Sequence, residues 1–294
     1  MALRYSIVTG AVGFLGGILY RDKNPLNKFE IFAANPVQTV VDTYEYTGDE
    51  ESKDFLRRTM KFGFPGFDTI KRKKSFVLSY DRRNRVPHWV FEHLTADHIT
   101  PNKNVNRKNC EFLEDDSIHA YFRSTDDDYK DSGFDRGHLA AAGNHRSKQE
   151  YQDDTFFLSN IAPQVGLGFN QGRWKHLEEY VEKLVKKNKS VYVCSGPLFL
   201  PREEPDGTKY VKYQVIGPND VAVPTHFFKV ILVERKDSKY FMEAYLMPNA
   251  SIDNTKSLDS FQENKDVIER AAGLLLFENL DNIHLLSING MPVE

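Results

Sequence analysis

The sequence predicts an α+β fold, a mainly antiparallel central sheet flanked by helices. Three observations carry this. Apolar runs of strand length recur, and short polar turns join some of them as hairpins. Helical periodicity is confined to a few stretches. The chain has no internal repeat and no low-complexity tract, so strands and helices must share a core rather than stack as an array.

Taken in order, Ala2–Tyr20 is apolar and glycine-rich with Arg4 as its charge, followed by Arg21, Lys23 and Lys28. It is short for a full membrane span. Residues 1–20 therefore suit a targeting segment or a membrane tether. Residues 21–60 lack periodicity, and Thr47–Asp54 is acidic and polar, so this region is expected to be a flexible linker. A folded domain is expected over residues 61–290. Lys71-Arg-Lys-Lys74 is a basic run before a strand, with phosphate contact or nuclear import as sharper alternatives.

Phe76–Tyr80 and Val86–Phe91 read as strands around the turn Asp81–Asn84, with Pro87 at a strand start or edge. His88, His93 and His98 recur every five residues, which puts neighbours on opposite strand faces and argues against a metal cluster. Glu111–Lys130 is acidic without calcium-loop spacing and is expected to be a solvated loop. Ser190–Cys194 is a strand, with Pro197 and Pro201 marking the loop after it. Lys212–Gly217 and Phe227–Val233 follow as strands, the second pairing with Tyr240–Leu246 across Lys236–Lys239. Leu258–Ala272 is a helix that Gly273 can end.

The 294-residue chain carries a net charge of −3, with 40% hydrophobic and 28% charged residues. Binding to nucleic acid through bulk positive charge is therefore excluded, while a local basic cleft is not. The two cysteines, Cys110 and Cys194, form neither a metal-ligand pair nor a disulfide framework.

The chemistry concentrates in Asp131–Lys187. Trp174, Leu177, Val181 and Leu184 fall on one helical face, and Asn170 is a preferred N-cap type. In a helix starting there, Asn170 and Glu178 look toward the same side, and the positive helix end favours a phosphate. His138 follows Gly137, which permits close approach of backbone or ligand. A neutral histidine can take a proton from water, and an asparagine oxygen makes a weak hard-cation site with waters completing the shell. Such parts suit phosphodiester hydrolysis. Taken singly, His138, Asn160, Asn170 and Glu178 are more often a structural histidine, a turn asparagine, a helix cap and a solvated carboxylate than site residues.

Their order separates the readings. Asp135-Arg-Gly-His138, Ser159-Asn-Ile-Ala-Pro-Gln164 and Asn170-Gln-Gly-Arg-Trp174-Lys-His-Leu-Glu178 together resemble the DNA/RNA non-specific endonucleases that carry the ββα-metal motif. Gly196–Pro201, Val221–Lys229 and Met247–Ala250 extend the resemblance to about Phe62–Leu280. It implies a single Mg²⁺, with Mn²⁺ as a substitute, and Asn170 as its one direct protein ligand. His138 would be the general base, Glu178 would position a water of the ion's shell, and Asn160 would shape the site. Arg85 would neutralise charge on the pentacovalent phosphate, and Arg136 would contact backbone or substrate.

The resemblance further implies DNA and RNA as substrates, 5′-phosphate and 3′-hydroxyl products, and a homodimer. It implies a mitochondrial location, in the intermembrane space or at the inner membrane, with nuclear entry on release and a part in apoptotic DNA degradation. Two alternatives are a 5′–3′ exonuclease of the same family, which Asp135 disfavours, and a non-catalytic nucleic-acid-binding or interaction module. Val165–Phe169 is one residue longer than the family pattern, an addition that a bulge can absorb.

Overall fold

A computed structural model describes residues 68–280 and 284–293, residues 58, 59 and 61, and the strands Ile18–Tyr20 and Glu30–Phe32. These divide into a main unit, residues 71–115 and 120–294, and a smaller one, residues 1–70 and 116–119. In the smaller unit Ile18–Tyr20 pairs antiparallel with Glu30–Phe32. The remainder of the expected targeting segment and most of the expected linker lie outside the described residues. Among the described residues no helix is long and apolar enough to cross a membrane.

The α+β expectation holds. The strands are β1 (Thr69–Arg72), β2 (Phe76–Asp81), β3 (Val86–Leu94), β4 (Asp135–His138) and β5 (Ile161–Gln164). Helix α1 (Lys175–Lys187) is followed by β6 (Ser190–Leu198), β7 (His226–Glu234) and β8 (Tyr240–Pro248). Helix α2 (Lys265–Ala272), β9 (Leu285–Ile288) and β10 (Met291–Pro292) close the chain. The large sheet runs β10-β9-β8-β7-β6-β3-β2-β1. Its centre is antiparallel, and the β8–β9 pair is parallel.

Alternation along β7 assigns the two sheet faces. Phe228, Val230 and Leu232 form one core with Cys194, Leu198 and, from α2, Ile268 and Ala272. Phe227 and Lys229 point the other way, toward the start of α1: Phe227 packs 5.5 Å from Phe169 and 5.6 Å from Trp174. The apolar face expected for α1 is present, with Trp174, Leu177, Val181 and Leu184 all buried.

Several elements differ from expectation for local reasons. Strand β6 runs through Pro197, because β3 pairs with it only as far as Ser195; beyond that point it has one neighbour and tolerates a missing donor. Pro87 likewise sits where β3 is paired to β2 alone, opposite a register shift. The strand expected over Lys212–Gly217 shrinks to Val215–Ile216. The helix expected from Leu258 breaks into a 3₁₀ turn, Leu258–Phe261, and α2, because Asn264 caps a new start; Gly273 ends α2 in the left-handed region as expected.

The acidic stretch Glu111–Lys130 is not simply solvated. Asp115 is buried against Lys73 and Ser159, and Asp128 is buried, accepting from Thr125 and Asn219. The basic run before β2 spends Lys73 and Lys74 on Asp115 and Glu150. His88 meets the Ala272 carbonyl, His93 stacks on Tyr192 and His98 bonds Thr95.

The aromatic seam under α1 is expected to be costly to open. Phe227→Ala removes a fully buried ring between Phe169 and Trp174, and should lower unfolding free energy by about 3–5 kcal/mol in urea titration.

Candidate active site

The site is built where β4, β5 and α1 meet. Strands β4 and β5 pair antiparallel, Asp135 opposite Gln164 and His138 opposite Ile161. Gly137 makes the pairing possible: a Cβ there would lie 2.1 Å from the Gln164 side chain, which crosses the hairpin. The close approach expected at Gly137 is thus to a buried glutamine.

Asn160 is fully buried. Its Oδ1 accepts from the Ala140 amide at 3.0 Å, and its Nδ2 donates to the carbonyls of Ala140 (3.1 Å) and Thr155 (2.8 Å). Every side-chain bond goes to backbone, so Asn160 fixes the chain just past His138.

Residues 166–174 are not the first turn of a regular helix. Leu167, Gly168 and Gly172 carry non-helical backbone angles, and α1 begins at Lys175. Asn170 is therefore no N-cap of α1, and the helix-dipole argument for a phosphate there lapses. The cause is glycine: Gly168 has φ +83, and a Cβ on it would meet Ser251 Oγ at 2.5 Å and the Ile252 amide nitrogen at 2.8 Å. This wound turn is tied at its start by the Val165 amide donating to Asn249 Oδ1 at 2.9 Å.

In that turn Asn170 Nδ2 and Gln171 Nε2 each donate to Asp135 Oδ2 at 2.8 Å. With its NH₂ committed to a carboxylate, Asn170 keeps its amide oxygen as an acceptor. That is the donor a hydrated hard cation needs, and among the described residues no cluster of three His, Cys, Asp or Glu offers a fuller cage. The residues fit a thinly liganded divalent ion held at Asn170.

His138 sits at the end of β4. Its ring lies edge-on to Phe156, centroids 4.8 Å apart, and 5.4 Å from Phe112. Its carbonyl accepts from the Trp174 indole at 3.4 Å. Nε2 is shut off from solvent and has no hydrogen-bond partner among the described residues. Burial, and after it the charges of Arg107 and Arg136, push the imidazole down to about 3. The ring is consequently neutral across the physiological range.

Arg136 stacks 4.3 Å over Phe112 and pairs with Asp126. Arg107, exposed on the polar turn Arg107–Asn109, lies 5.8 Å over the Phe156 ring that His138 touches. It also walls a cleft of about 340 Å³ shared with Arg146 and Gln152. Nothing in the sequence marked Arg107: it is one arginine in an aperiodic polar loop.

Arg85 is held by backbone carbonyls. It takes φ 57 in the turn before β3, and its guanidinium donates to the carbonyls of Arg83 and Tyr121, each at 3.3 Å.

Glu178, on the first turn of α1, is not an ordinary solvated carboxylate. Burial raises it to about 7; Lys229 and Arg107 pull it down, while Glu92 and Glu179 push it up. The thiols have no comparable position: burial holds Cys110 up at about 11 and Cys194 at about 12.

A paired strand hairpin carrying a neutral histidine, with a wound turn and helix carrying an amide oxygen and a poised carboxylate, is an arrangement suited to cleaving phosphodiesters. Residues 57–283 match the family model described as DNA/RNA non-specific endonuclease, and the chain belongs to that family, hydrolases acting on phosphodiester bonds. It is 46% identical over 266 residues to a Caenorhabditis elegans protein named mitochondrial endonuclease G, covering 90% of this chain and 85% of that one. The human protein of the same name is 51% identical over 220 residues, 75% of this chain and 73% of its own. A chain in a crystal structure of an EndoG/EndoGI complex superposes with TM-score 0.76 at 54% identity, covering 81% of this chain and 98% of that one.

Two pH dependences follow from linkage. His138 titrates lower folded than unfolded, so between about pH 6.5 and 3 the unfolded chain holds a proton that the native one lacks. Its contribution is whole above that window and fades as pH falls through it. His138→Ala should show a shallower loss of urea midpoint over the same range. Glu178 has the opposite sign: between 4.5 and about 7 the native state keeps a proton the unfolded state has lost, so ionising it costs stability. The urea midpoint of Glu178→Gln should rise relative to the parent between about pH 5 and pH 8.

Proposed function

We propose that this endonuclease cuts DNA and RNA chains with His138 as general base and a hydrated divalent cation, Mg²⁺ or in its place Mn²⁺, held at the Asn170 amide oxygen. The observation that carries this reading is the pairing of two free acceptors on one small motif. Nε2 of a neutral His138 is unpartnered, and the amide oxygen of Asn170 is left over once Asp135 has taken its NH₂. When bound, such a cation supplies positive charge to the phosphate and its leaving oxygen.

The chain's own residues supply the rest. Arg107 and Arg136 flank the aromatic wall of His138 and meet the anionic phosphodiester. Neutralising them has a second effect. Their charges hold His138 low, so an anion bound against them raises its basicity when a proton must be taken from water. Water loses its proton to Nε2, its oxygen forms a bond to phosphorus as the bond to the 3′-oxygen breaks, and the departing oxygen takes a proton from solvent, giving 5′-phosphate and 3′-hydroxyl ends. Glu178, ionised above about pH 7, orients a water beside the ion, and Asn160 keeps the His138 segment rigid. Arg85, whose guanidinium donates to two backbone carbonyls and keeps further N–H groups, would neutralise charge on the pentacovalent phosphate.

The mitochondrial location expected from the sequence agrees with the names of its relatives. A tether through residues 1–20, a homodimer, and nuclear DNA degradation after release in apoptosis complete the proposal.

Supercoiled plasmid and RNA, digested with Mg²⁺ or with chelator, test it. Nicking with Mg²⁺ and none with chelator is expected; shortening of linear duplex without plasmid nicking would instead favour the exonuclease. His138→Ala should lose about 10²–10⁴-fold in kcat with DNA binding retained, and unchanged turnover would remove His138 as base. Binding measured without metal should weaken steeply as salt rises, and a flat response would argue against phosphate contacts.

A further inference from the structure

The turn between β2 and β3 presents Arg82, Arg83 and Arg85 from a stiff frame. Asp81 Oδ1 accepts from the amides of Arg83 at 2.8 Å and Asn84 at 3.1 Å, and Asp81 Oδ2 accepts from Asn84 Nδ2 at 2.7 Å. The carboxylate of the turn is thus spent on the turn itself, and the surplus charge is positive.

A second short element, the 3₁₀ turn Ala120–Phe122, lies against it. Arg85 donates to the Tyr121 carbonyl at 3.3 Å, and the Tyr80 hydroxyl of β2 donates to the Phe122 carbonyl at 3.0 Å. Arg82 lies 5.7 Å over the Phe122 ring. The backbone on either side of the 121–122 peptide is therefore pinned to β2 and its turn. Phe122 is half-buried there, whereas Tyr121 is 77% exposed.

A single exposed apolar residue is ordinary on a protein surface. Tyr121 differs in two respects. Its backbone is already ordered, so presenting the ring to a ligand costs little further entropy. The group that holds it is Arg85, read above as neutralising charge on the phosphate, and the neighbouring turn is cationic. Cations that meet a sugar-phosphate backbone, with a fixed aromatic ring beside them, suit an unpaired base: the phosphate goes to the guanidinium groups and the base stacks on the ring. Every base has such a face, so the contact is indifferent to sequence and to the sugar. Inside a duplex those faces are covered by the neighbouring base pairs, and the ring has nothing to stack on.

We propose that Tyr121 is a base-stacking platform that makes the protein bind single-stranded DNA and RNA in preference to duplex. The inference deepens the nuclease reading and rests on its placing of Arg85 at the substrate phosphate.

The test is fluorescence anisotropy in chelator at one salt concentration, with labelled single-stranded DNA, single-stranded RNA and blunt duplex DNA of equal length. Tyr121→Ala should weaken binding of both single strands about tenfold, with duplex affinity and the urea midpoint held. Tyr121→Trp should keep single-strand affinity, and single strands should quench the emission of the new indole. Tyr210→Ala, which removes an exposed tyrosine from another segment, should alter none of the three affinities. Unchanged single-strand affinity in Tyr121→Ala, or an equal loss on single strands and duplex, would overturn the proposal. A fall in sedimentation coefficient with oligonucleotide affinity unchanged would overturn it too, and would assign the ring to a contact between copies of the chain. Binding is read without metal, so the two readings fail separately. A parent that binds as expected yet never nicks plasmid with Mg²⁺ would refute the nuclease mechanism and leave the Tyr121 contact standing.

Discussion

The site depends on how one indole is seated. Trp174 is fully buried, with Phe169 and Phe227 against it and the Lys229 ammonium over its face, and its N–H reaches the His138 carbonyl. Through that ring the β4–β5 hairpin, the wound turn, helix α1 and the large sheet are held in one geometry. A general base is useful only when it is fixed relative to the groups that bind the phosphate. Here the fixing is done by dispersion and aromatic packing rather than by bonds to the imidazole, which leaves Nε2 free.

The electrostatics share the same economy. Desolvation, and after it two arginines, hold His138 neutral, while desolvation also brings the Glu178 carboxylate to about 7. Neither state suits folding best, since a site that stores an unpaired acceptor and a reluctantly ionised carboxylate gives up stability for function. In the proposed reaction an anionic substrate would change both terms at once, because it would neutralise the arginines. A net charge of −3 over the chain does not oppose this proposal, which draws on the local cations beside Phe112 and Phe156.

The family resemblance needed three blocks in order, because each residue in isolation has a commoner structural use. Asn160 illustrates it: the block around it was legible, yet its bonds run wholly to backbone. Asn170 shows the opposite failure. Its identity stood out, but the helix start inferred from it was wrong, because Gly168 and Gly172 wind the turn in ways that periodicity does not register. The strands were well marked wherever apolar alternation met a polar turn, as at Lys236–Lys239, and poorly marked at Pro197, where pairing with neighbours decides the limit.

By itself the sequence determined the α+β class, the hairpin partners, the buried face of α1 and the three blocks that carry His138, Asn160, Asn170 and Glu178. These are local facts, written in spacing and residue type. Only the tertiary structure decided that Arg107 stands over the ring beside His138, that Asp128 is buried rather than solvated, and that Lys229 lies over the Trp174 ring against Ser195. Those roles are set by burial and by partners distant in the chain. A lysine or aspartate carries no mark of its surroundings until the fold encloses it.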